Sequence, residues 1–274
     1  MTYHSPGPAR PPMTITVIPE LEDGEEEEYE IGYEKFTFPD GQPHIRLNEH
    51  VEQKRVEIEV SITSPADLFD LLLVTDILAH SENEIDLYIR YLMGGRMDRA
   101  IDHQSPRTLG VVTTMLHQGT SYAFESITIL DPHSNVSTML LNAATRYPLP
   151  EVWAMLDNYR SEDVVIVIPD DGAMERVHRM TEGTGFTRFV QGHKKRDSAT
   201  GKLSGFSVDD IETVAGFQCI MIDDLCDGGY TFTGIAKLLR EAGAIQVDLF
   251  VTHGVFSKGR NLDGIDNIYT TNSY

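Results

Sequence analysis

The chain has 274 residues, of which 41% are hydrophobic and 24% charged, a composition typical of a globular protein long enough for two domains. Its formal net charge of −21 argues against a nucleic-acid-binding protein, and it lacks the run of about eighteen apolar residues that a membrane-spanning helix needs. The two cysteines, Cys219 and Cys226, indicate neither a disulfide scaffold nor a zinc site, and no secretory signal is evident, so we expect a cytoplasmic protein.

The first half of the chain predicts strands and one long helix. Residues 1–12 contain four prolines, and we expect a disordered lead there. A strand is predicted at residues 14–20, and the eight acidic residues within residues 20–30 predict a solvated loop. The turn at residues 39–41 predicts a hairpin, and residues 67–80 have the apolar periodicity of a helix. Further strands are predicted at residues 56–62, 84–92 and 126–131.

The second half alternates strands with helices. Strands are predicted at residues 164–171, 186–190, 217–227 and 247–256, and helices at residues 172–183 and 232–244. Such alternation is typical of parallel α/β sheets, in which ligands bind at the carboxyl ends of the strands. We therefore predict an α/β fold of two domains, at residues 13–152 and 153–274.

The segment of residues 219–244 has the pattern of an anion-binding site. An apolar strand leads into the paired acids Asp223 and Asp224, a glycine turn and the start of a long helix. Glycines let the backbone approach a ligand, and free amides at a helix N-terminus attract phosphate. The carboxylates are better suited to sugar hydroxyls. Taken alone, an Asp-Gly-Gly turn also occurs in ordinary strand–helix junctions.

This segment resembles the sugar-phosphate loop of the phosphoribosyl pyrophosphate synthetases, which are relatives of the type I phosphoribosyltransferases. The resemblance implies two phosphoribosyltransferase-like domains, each a mostly parallel sheet flanked by helices. It implies ribose-hydroxyl contacts for Asp223 and Asp224. It implies ribose-phosphate contacts for the loop and the start of the helix, at Asp227, Gly228, Gly229, Tyr230 and Thr231.

Other motifs similar to those of the same family follow in the expected order, and they imply an ATP site with Mg²⁺ as cofactor. FPDGQ resembles a segment that reaches ATP across a subunit boundary, GGRMDRA a nucleotide-binding segment, and DPHS a segment with a metal- or ATP-binding histidine. IPDDGAMERV resembles a segment whose aspartate binds Mg²⁺. The residues implied in ATP binding are Phe38, Asp40, Gln42, Arg96, Asp98, Arg99 and His133, and those implied in metal binding are His133 and Asp170.

The polar stretch at residues 191–205 resembles the mobile catalytic loop of the family. Lys194 and Arg196 match its Lys-x-Arg spacing, which implies that they are the catalytic residues. Cations on a flexible loop suit phosphoryl transfer because they neutralise charge on the transferred group and exclude water. Without the other motifs, the same stretch would be interpreted as a solvated basic loop on an acidic protein.

The resemblance covers residues 14–274 and implies a ribose-phosphate diphosphokinase of nucleotide biosynthesis. The β,γ-diphosphate of ATP would move to the C1 hydroxyl of ribose 5-phosphate, giving phosphoribosyl pyrophosphate and AMP. A homodimer or a larger homo-oligomer is expected, because the segment at Phe38 would complete the site of a neighbouring subunit.

Three alternatives stay open. The phosphate loop of the family usually reads Asp-Thr-Gly-Gly-Thr, whereas Tyr230 is bulky, so a wider pocket with a stacking tyrosine would suit ADP-ribose as acceptor, in NAD synthesis. A type I phosphoribosyltransferase is a second alternative, although it would not need the ATP motifs. A non-catalytic, synthetase-like regulatory subunit is the third, although it would not need to keep Lys194 and Asp170. Met97 and Gln42 also replace residues usual near the base, which leaves nucleotide selectivity open.

Overall fold

Two separately packed units divide the chain in the computed structural model, which describes residues 2–4, 11–19, 27–118, 124–196 and 203–274. The N-terminal unit comprises Arg10–Arg146, and the C-terminal unit comprises Tyr147–Tyr274 with Met1–Ala9. The division falls after Arg146 rather than after residue 152, because Tyr147, Leu149 and Val152 pack into the core of the C-terminal unit. Most of the predicted acidic loop, residues 20–26, lies outside the described residues.

The N-terminal end of the chain contributes a strand where the sequence predicted a disordered lead. Residues Thr2–His4 form strand β1, which belongs to the sheet of the C-terminal unit. A strand pairs with a free sheet edge through its backbone N–H and C=O groups. The side-chain composition of this proline-rich lead therefore does not reveal the pairing. Residues 5–10 of the lead lie outside the described residues.

Within the residues described, the N-terminal unit contains a six-stranded sheet, a separate hairpin and three helices. Its strands are β2 (Met13–Ile18), β3 (Tyr29–Glu30), β4 (Tyr33–Thr37), β5 (Pro43–Leu47), β6 (Arg55–Ile62), β7 (Glu84–Leu92), β8 (Ser126–Leu130) and β9 (Ala144–Arg146). Its helices are α1 (Pro65–His80), α2 (Thr108–Gln118) and α3 (Asn135–Leu141). The sheet order is β3-β2-β6-β7-β8-β9, with β6 to β9 parallel and β2 antiparallel to both its neighbours. The hairpin of β4 and β5 and the helix at residues 67–80 confirm the predictions made for these segments.

In the part of the C-terminal unit that the structure describes, a seven-stranded sheet has helices packed against it. Its strands after β1 are β10 (Val164–Ile168), β11 (Phe189–Arg196), β12 (Leu203–Val208), β13 (Gln218–Cys226), β14 (Gln246–Gly254) and β15 (Asn267–Thr270). Its helices are α4 (Leu149–Leu156), α5 (Met174–Thr181) and α6 (Tyr230–Glu241). The order is β1-β15-β14-β13-β10-β11-β12, and every pair is parallel except β11 with β12. The predicted α/β class with mostly parallel sheets is therefore confirmed.

Strand β13 is apolar along most of its length because both faces of the sheet are covered. Cys219 and Met221 face a core shared with α6, whereas Ile220 and Ile222 face a second core shared with α4 and α5. Parallel strands buried on both faces are typically continuous apolar runs of this kind. Among the described residues, each helix is too short or too polar to traverse a bilayer.

The segment expected to be a mobile catalytic loop forms mainly an antiparallel hairpin. Strand β11 runs to Arg196 and strand β12 starts at Leu203, with Lys194 opposite Phe206. The polar composition predicted a loop, but backbone pairing between the two arms extends the sheet at its edge. Only residues 197–202 of the expected loop lie outside the described residues.

Candidate active site

The paired acids lie near the carboxyl end of β13, next to a buried arginine. Asp223 and Asp224 are 8% and 4% exposed, and Nη1 of Arg176 on α5 lies 3.7 Å from Oδ1 of each. Burial, and then the charge of Asp224, raises the pKa of Asp223 well above its ordinary value, while Arg176 opposes this shift. Two carboxylates that share one cation keep oxygen lone pairs that can accept hydrogen bonds from sugar hydroxyls. The strand continues to Cys226, so the acids lie within β13 and not after it.

The glycine turn after β13 leads directly into α6. Gly229 has φ +75°, and a Cβ there would lie 2.3 Å from Cδ2 of Leu262, so both conformation and packing require glycine. The hydroxyl of Ser257, which follows β14, donates to Oδ1 of Asp227. The methylene chain of Lys258 packs beside Gly228, with carbons 3.4–3.8 Å from the place a Cβ would take. The turn therefore presents the N-terminus of a twelve-residue helix, where anions are favoured.

The structure brings the expected metal ligand and the expected catalytic lysine together. Nζ of Lys194 on β11 donates to Oδ2 of Asp170 at 2.5 Å. The other oxygen of Asp170 accepts hydrogen bonds from the amides of Gly172 (3.0 Å) and Ala173 (3.2 Å), which caps the turn after β10. The charge of Asp170 also raises the pKa of Asp223, which places it in the electrostatic surroundings of the acid pair. Arg196 ends β11, and its side chain lies outside the described residues.

A histidine links the base of this hairpin to the turn after β10. Nε2 of His193 lies 2.8 Å from Oδ2 of Asp209, and Nδ1 lies 3.4 Å from Oδ1 of Asp171. Gln191 donates to the same oxygen of Asp171 at 3.1 Å. The hydrogen bond with Asp209, assisted by the charges of both carboxylates, raises the pKa of His193 although burial opposes the shift. The two carboxylates therefore favour the protonated form of His193, which lies between two acidic segments at the start of the hairpin.

A groove of about 720 Å³ runs beside α6, next to the glycine turn that precedes this helix. Its lining includes Phe206 on one side, Tyr230 and Gly234 on the helix, and Asp263 on the other side. The ring centroids of Phe206 and Tyr230 are 5.6 Å apart, and Tyr230 is 65% exposed. This volume lies in the range of small-molecule sites, and the two rings supply aromatic surface on which a ligand can stack.

In the N-terminal unit, four of the expected ATP-binding residues follow two neighbouring strands. Arg96, Asp98 and Arg99 come after β7, in a turn held by the hydrogen bond from the Met97 amide to the Gly94 carbonyl at 2.8 Å. His133 comes after β8, and it is exposed, as are both arginines. Because β7 and β8 are adjacent and parallel, their carboxyl ends open at the same edge of the sheet.

The other three expected ATP-binding residues lie in the separate hairpin of β4 and β5. The amide of Phe38 donates to the carbonyl of Gln42 at 2.8 Å, and the amide of Gln42 donates to Oδ1 of Asp40 at 3.1 Å. The ring of Phe38 lies 5.2 Å from that of Phe36 and 5.6 Å from that of His44, and it is 46% exposed. The hairpin turn therefore exposes aromatic surface to solvent. The hairpin forms a two-stranded sheet of its own, separate from the six-stranded sheet.

Sequence reasoning missed three side chains of the C-terminal unit. Arg176 lies on the buried face of α5 with Val177 and Met180. Because a buried cation needs a partner of opposite charge, its position on the apolar face of a predicted helix could have indicated a nearby carboxylate. His193 lies inside the stretch interpreted as a loop and Phe206 directly follows it, so the sequence offered no strand register that would pair them with other residues.

A magnesium site is compatible with Asp170 but is not formed by the side chains of one cluster. Within the described ranges, no three His, Cys, Asp or Glu side chains are grouped so that they could hold a metal ion. Mg²⁺ bound with substrate phosphates usually takes only one or two protein carboxylates, and Asp170 offers such a carboxylate at a strand end. The expected ligands are divided between the units, with His133 in the N-terminal unit and Asp170 in the C-terminal unit.

Comparisons with known proteins place the fold in a defined class. The fold is that of a phosphoribosylpyrophosphate synthetase: the structure of this enzyme from Mycobacterium smegmatis matches with a TM-score of 0.69 over 82% of this chain and 73% of that chain, at 22% identity. The ribose-phosphate pyrophosphokinase of Hyphomonas neptunium is 30% identical over 228 residues, which cover 81% of this chain and 71% of the relative. That of Sulfurisphaera tokodaii is 26% identical over 247 residues, covering 86% and 82%. The chain belongs to the ribose-phosphate pyrophosphokinase family. No protein-family model matches it.

Proposed function

We propose that the chain is a Mg²⁺-dependent ribose-phosphate diphosphokinase. The C1 hydroxyl oxygen of ribose 5-phosphate attacks the β-phosphorus of ATP, the bond from that phosphorus to the α,β-bridging oxygen breaks, and AMP leaves as phosphoribosyl pyrophosphate forms. The observation that carries the proposal is the pairing of Lys194 with Asp170, which follows β10, in the unit that also contains the acid pair of β13 and the glycine turn after it. Membership of the ribose-phosphate pyrophosphokinase family supports the same reaction.

The C-terminal unit binds the acceptor in this proposal. The turn at residues 227–231 and the N-terminus of α6 bind the 5-phosphate through backbone amides and the Thr231 hydroxyl. Asp223 and Asp224 accept hydrogen bonds from the ribose hydroxyls, and Arg176 keeps this pair of carboxylates partly neutralised and fixed in position. The ribose ring is then held in one orientation, which fixes the direction of its C1 hydroxyl, and orientation of this kind contributes much of the rate enhancement.

Lys194 neutralises charge on the transferred group, and Asp170 would hold the Mg²⁺ ion. Nζ of Lys194 donates to Oδ2 of Asp170, so the cationic side chain and the carboxylate that would hold the ion lie side by side. Mg²⁺ would neutralise charge on the ATP phosphates. Arg196 supplies a second cation in the same role.

The N-terminal unit binds ATP. Arg96 and Arg99 bind phosphate oxygens with planar, bidentate guanidinium groups, and His133 contributes to the metal or to the nucleotide. Phe38, Asp40 and Gln42 contact the base from a neighbouring subunit, because their hairpin presents exposed aromatic surface. The active form is accordingly a homodimer or a larger homo-oligomer.

The test is AMP formation from ATP and Mg²⁺ with ribose 5-phosphate as acceptor. The wild-type chain is expected to form AMP and phosphoribosyl pyrophosphate in equal amounts. Lys194→Ala is expected to lower kcat by about 10²–10³-fold, the usual effect of removing one group that stabilises transition-state charge. Lys54→Ala, which removes an exposed lysine of the N-terminal unit, serves as the control and is expected to leave kcat unchanged.

A folded wild-type protein that forms no AMP with this acceptor or with ADP-ribose would contradict the proposal and favour a regulatory subunit. Phosphoribosyl pyrophosphate consumption with a free base would favour a phosphoribosyltransferase.

A second candidate is the same chemistry with ADP-ribose as acceptor. It is favoured by the groove of about 720 Å³ that starts at Tyr230, next to the phosphate loop, and by the additional cation Lys258 beside Gly228. A second phosphate would interact favourably with Lys258, and the remainder of the molecule would stack on Tyr230. The same assay decides: AMP formed with ADP-ribose and much less with ribose 5-phosphate supports this candidate, and Tyr230→Gly would then reduce the preference. AMP with ribose 5-phosphate alone excludes it.

A further inference from the structure

An aromatic ring of the hairpin that carries Lys194 packs on α6, the helix that follows the phosphate loop. A Cβ added to Gly234 on α6 would lie 2.2 Å from Cε2 of Phe206 on β12, so the ring occupies the space that any larger residue at position 234 would need. The same ring is 5.6 Å from that of Tyr230, the first residue of α6. Phe206 therefore rests on the first turns of α6.

Strand register connects this contact to the catalytic lysine. Lys194 and Phe206 are directly opposite each other in the antiparallel pair of β11 and β12. Directly opposed residues of such a pair project from the same face of the sheet, about 5 Å apart at Cβ. A displacement of β12 relative to α6 would therefore displace the backbone of Lys194 with it.

The base of the hairpin shows a second close approach to the same helix. A Cβ on Gly192 would lie 2.8 Å from the carbonyl oxygen of Pro169 and 3.2 Å from Cδ1 of Ile235 on α6. Glycine at position 192 thus brings β11 against the end of β10, where Asp170 follows. Because the Gly192 contact holds the base of the hairpin, the Phe206 contact determines the angle at which the hairpin projects toward the phosphate loop.

We infer that Phe206, seated on Gly234, is a positioning residue that holds the ammonium group of Lys194 at the correct place relative to the phosphate loop. The inference rests on the proposed function with ribose 5-phosphate as acceptor, and it adds a residue that acts through Lys194 and not on this substrate. Small displacements of a catalytic group have large effects on rate, about 10²-fold for an error of roughly 1 Å. Binding of the ribose phosphate depends on the turn before α6 and is expected to be spared.

The first test is Phe206→Ala in the full chain. We expect kcat for AMP formation to fall by about 10²-fold, with the KM for ribose 5-phosphate changed by less than about twofold, since the groups that bind this substrate are untouched. Phe206→Tyr, which keeps the ring, is expected to recover most of kcat. Phe69→Ala, which removes a partly exposed ring from the N-terminal unit, is the matched control and should have wild-type kinetics.

Gly234→Ala tests the same contact from the helix. Alanine is a better helix former than glycine by about 1 kcal/mol, so the helix itself is not weakened, but its Cβ displaces the Phe206 ring. We expect kcat to fall as in Phe206→Ala. In the Phe206→Ala background the clash is absent, so Gly234→Ala is expected to cause no further loss.

A double-mutant cycle with Lys194 separates positioning from mere packing. If Phe206 acts through the lysine, Phe206→Ala will lower kcat much less in a Lys194→Ala background than in the wild type. Equal effects in both backgrounds, or wild-type kcat in Phe206→Ala, would overturn the inference. An inactive wild-type chain would instead contradict the proposed function, and this result is visible without any variant.

Discussion

At the scale of single residues, the acid pair of β13 combines its proposed role in acceptor binding with a cost to stability. Asp223 and Asp224 are both buried, and Arg176 is the cation that lies within 4 Å of each. A carboxyl group whose pKa is raised in the folded state favours folding at low pH, and this contribution is lost as the pH rises through the folded-state pKa. At neutral pH the pair therefore destabilises the fold, as is common where binding sites hold like charges together.

Asp223→Asn is expected to raise the melting temperature at neutral pH. Asparagine keeps the oxygen that accepts from the Asp224 amide at 2.9 Å but removes one of the two buried negative charges. A gain of about 1 kcal/mol would raise Tm by about 2–4 °C, and it should disappear below pH 3.8, the ordinary pKa of the group, where aspartate is protonated as well. The measurement is thermal unfolding of both proteins from pH 3 to pH 8. An equal or lower Tm for the variant at neutral pH would contradict this account.

The same substitution is expected to weaken acceptor binding. Loss of a hydrogen bond to a charged group costs about 1.5–3 kcal/mol, so the KM for ribose 5-phosphate should rise by at least tenfold. Steady-state kinetics with ATP held at saturation measure this change. Asp210→Asn, at an exposed position after β12, is the matched control and should leave the KM unchanged.

Gly229→Ala is expected to disrupt the phosphate-loop turn for two separable reasons. The left-handed backbone conformation, with φ +75°, costs about 1 kcal/mol for a residue with a Cβ, and the contact with Leu262 adds a steric penalty. Leu262→Ala in the same chain should relieve the second penalty and not the first. Denaturant unfolding of the single and double variants measures both contributions. If Leu262→Ala is equally harmful in both backgrounds, the contact with Gly229 is not the cause.

At the scale of the element, the hairpin of β11 and β12 is held near its base by two sets of contacts between charged side chains. Lys194 pairs with Asp170, whereas His193 joins Asp209 and Asp171. The antiparallel arm is at the edge of the sheet, where pairing on one side alone supports it. Electrostatic contacts at the base therefore matter more here than in the central strands.

The hairpin is expected to become less protected as the pH rises above the pKa of His193. Asp209 raises this pKa above its ordinary value of 6.5, so the stabilisation is fully present below pH 6.5 and is lost as the pH rises through the folded-state pKa. Amide hydrogen exchange, expressed as protection factors for residues 189–196, measures the effect from pH 5.5 to pH 8.5. His193→Gln should remove the pH dependence, and a dependence that persists in this variant would assign it to another group.

At the scale of the whole molecule, the family motifs are divided between two packed units. The residues proposed to bind ATP all lie in Arg10–Arg146, and those proposed to bind the acceptor all lie in Tyr147–Tyr274. Each unit has its own hydrophobic core and its own mostly parallel sheet. The division of motifs predicts that each substrate, added alone, stabilises mainly the unit that carries its binding motifs.

Hydrogen exchange with single substrates is expected to show this division. A ligand at 100 times its Kd stabilises the state that binds it by about 2.7 kcal/mol, so amides near the site exchange more slowly. Ribose 5-phosphate alone should protect residues 227–233, and a non-hydrolysable ATP analogue with Mg²⁺ should protect residues 93–99 and 131–135. Protection in the opposite pattern would contradict the assignment of the substrates to the two units.

The sequence by itself determined the α/β class and most strand and helix positions, because apolar periodicity is local information. It also predicted the glycine turn before α6 and the acids of β13, since both belong to one continuous segment. Only the tertiary structure revealed Arg176 beside the acid pair, β1 on the edge of β15, and Phe206 opposite Lys194. These contacts join segments distant in sequence through sheet order and register, and composition carries no information about register in a polar edge hairpin.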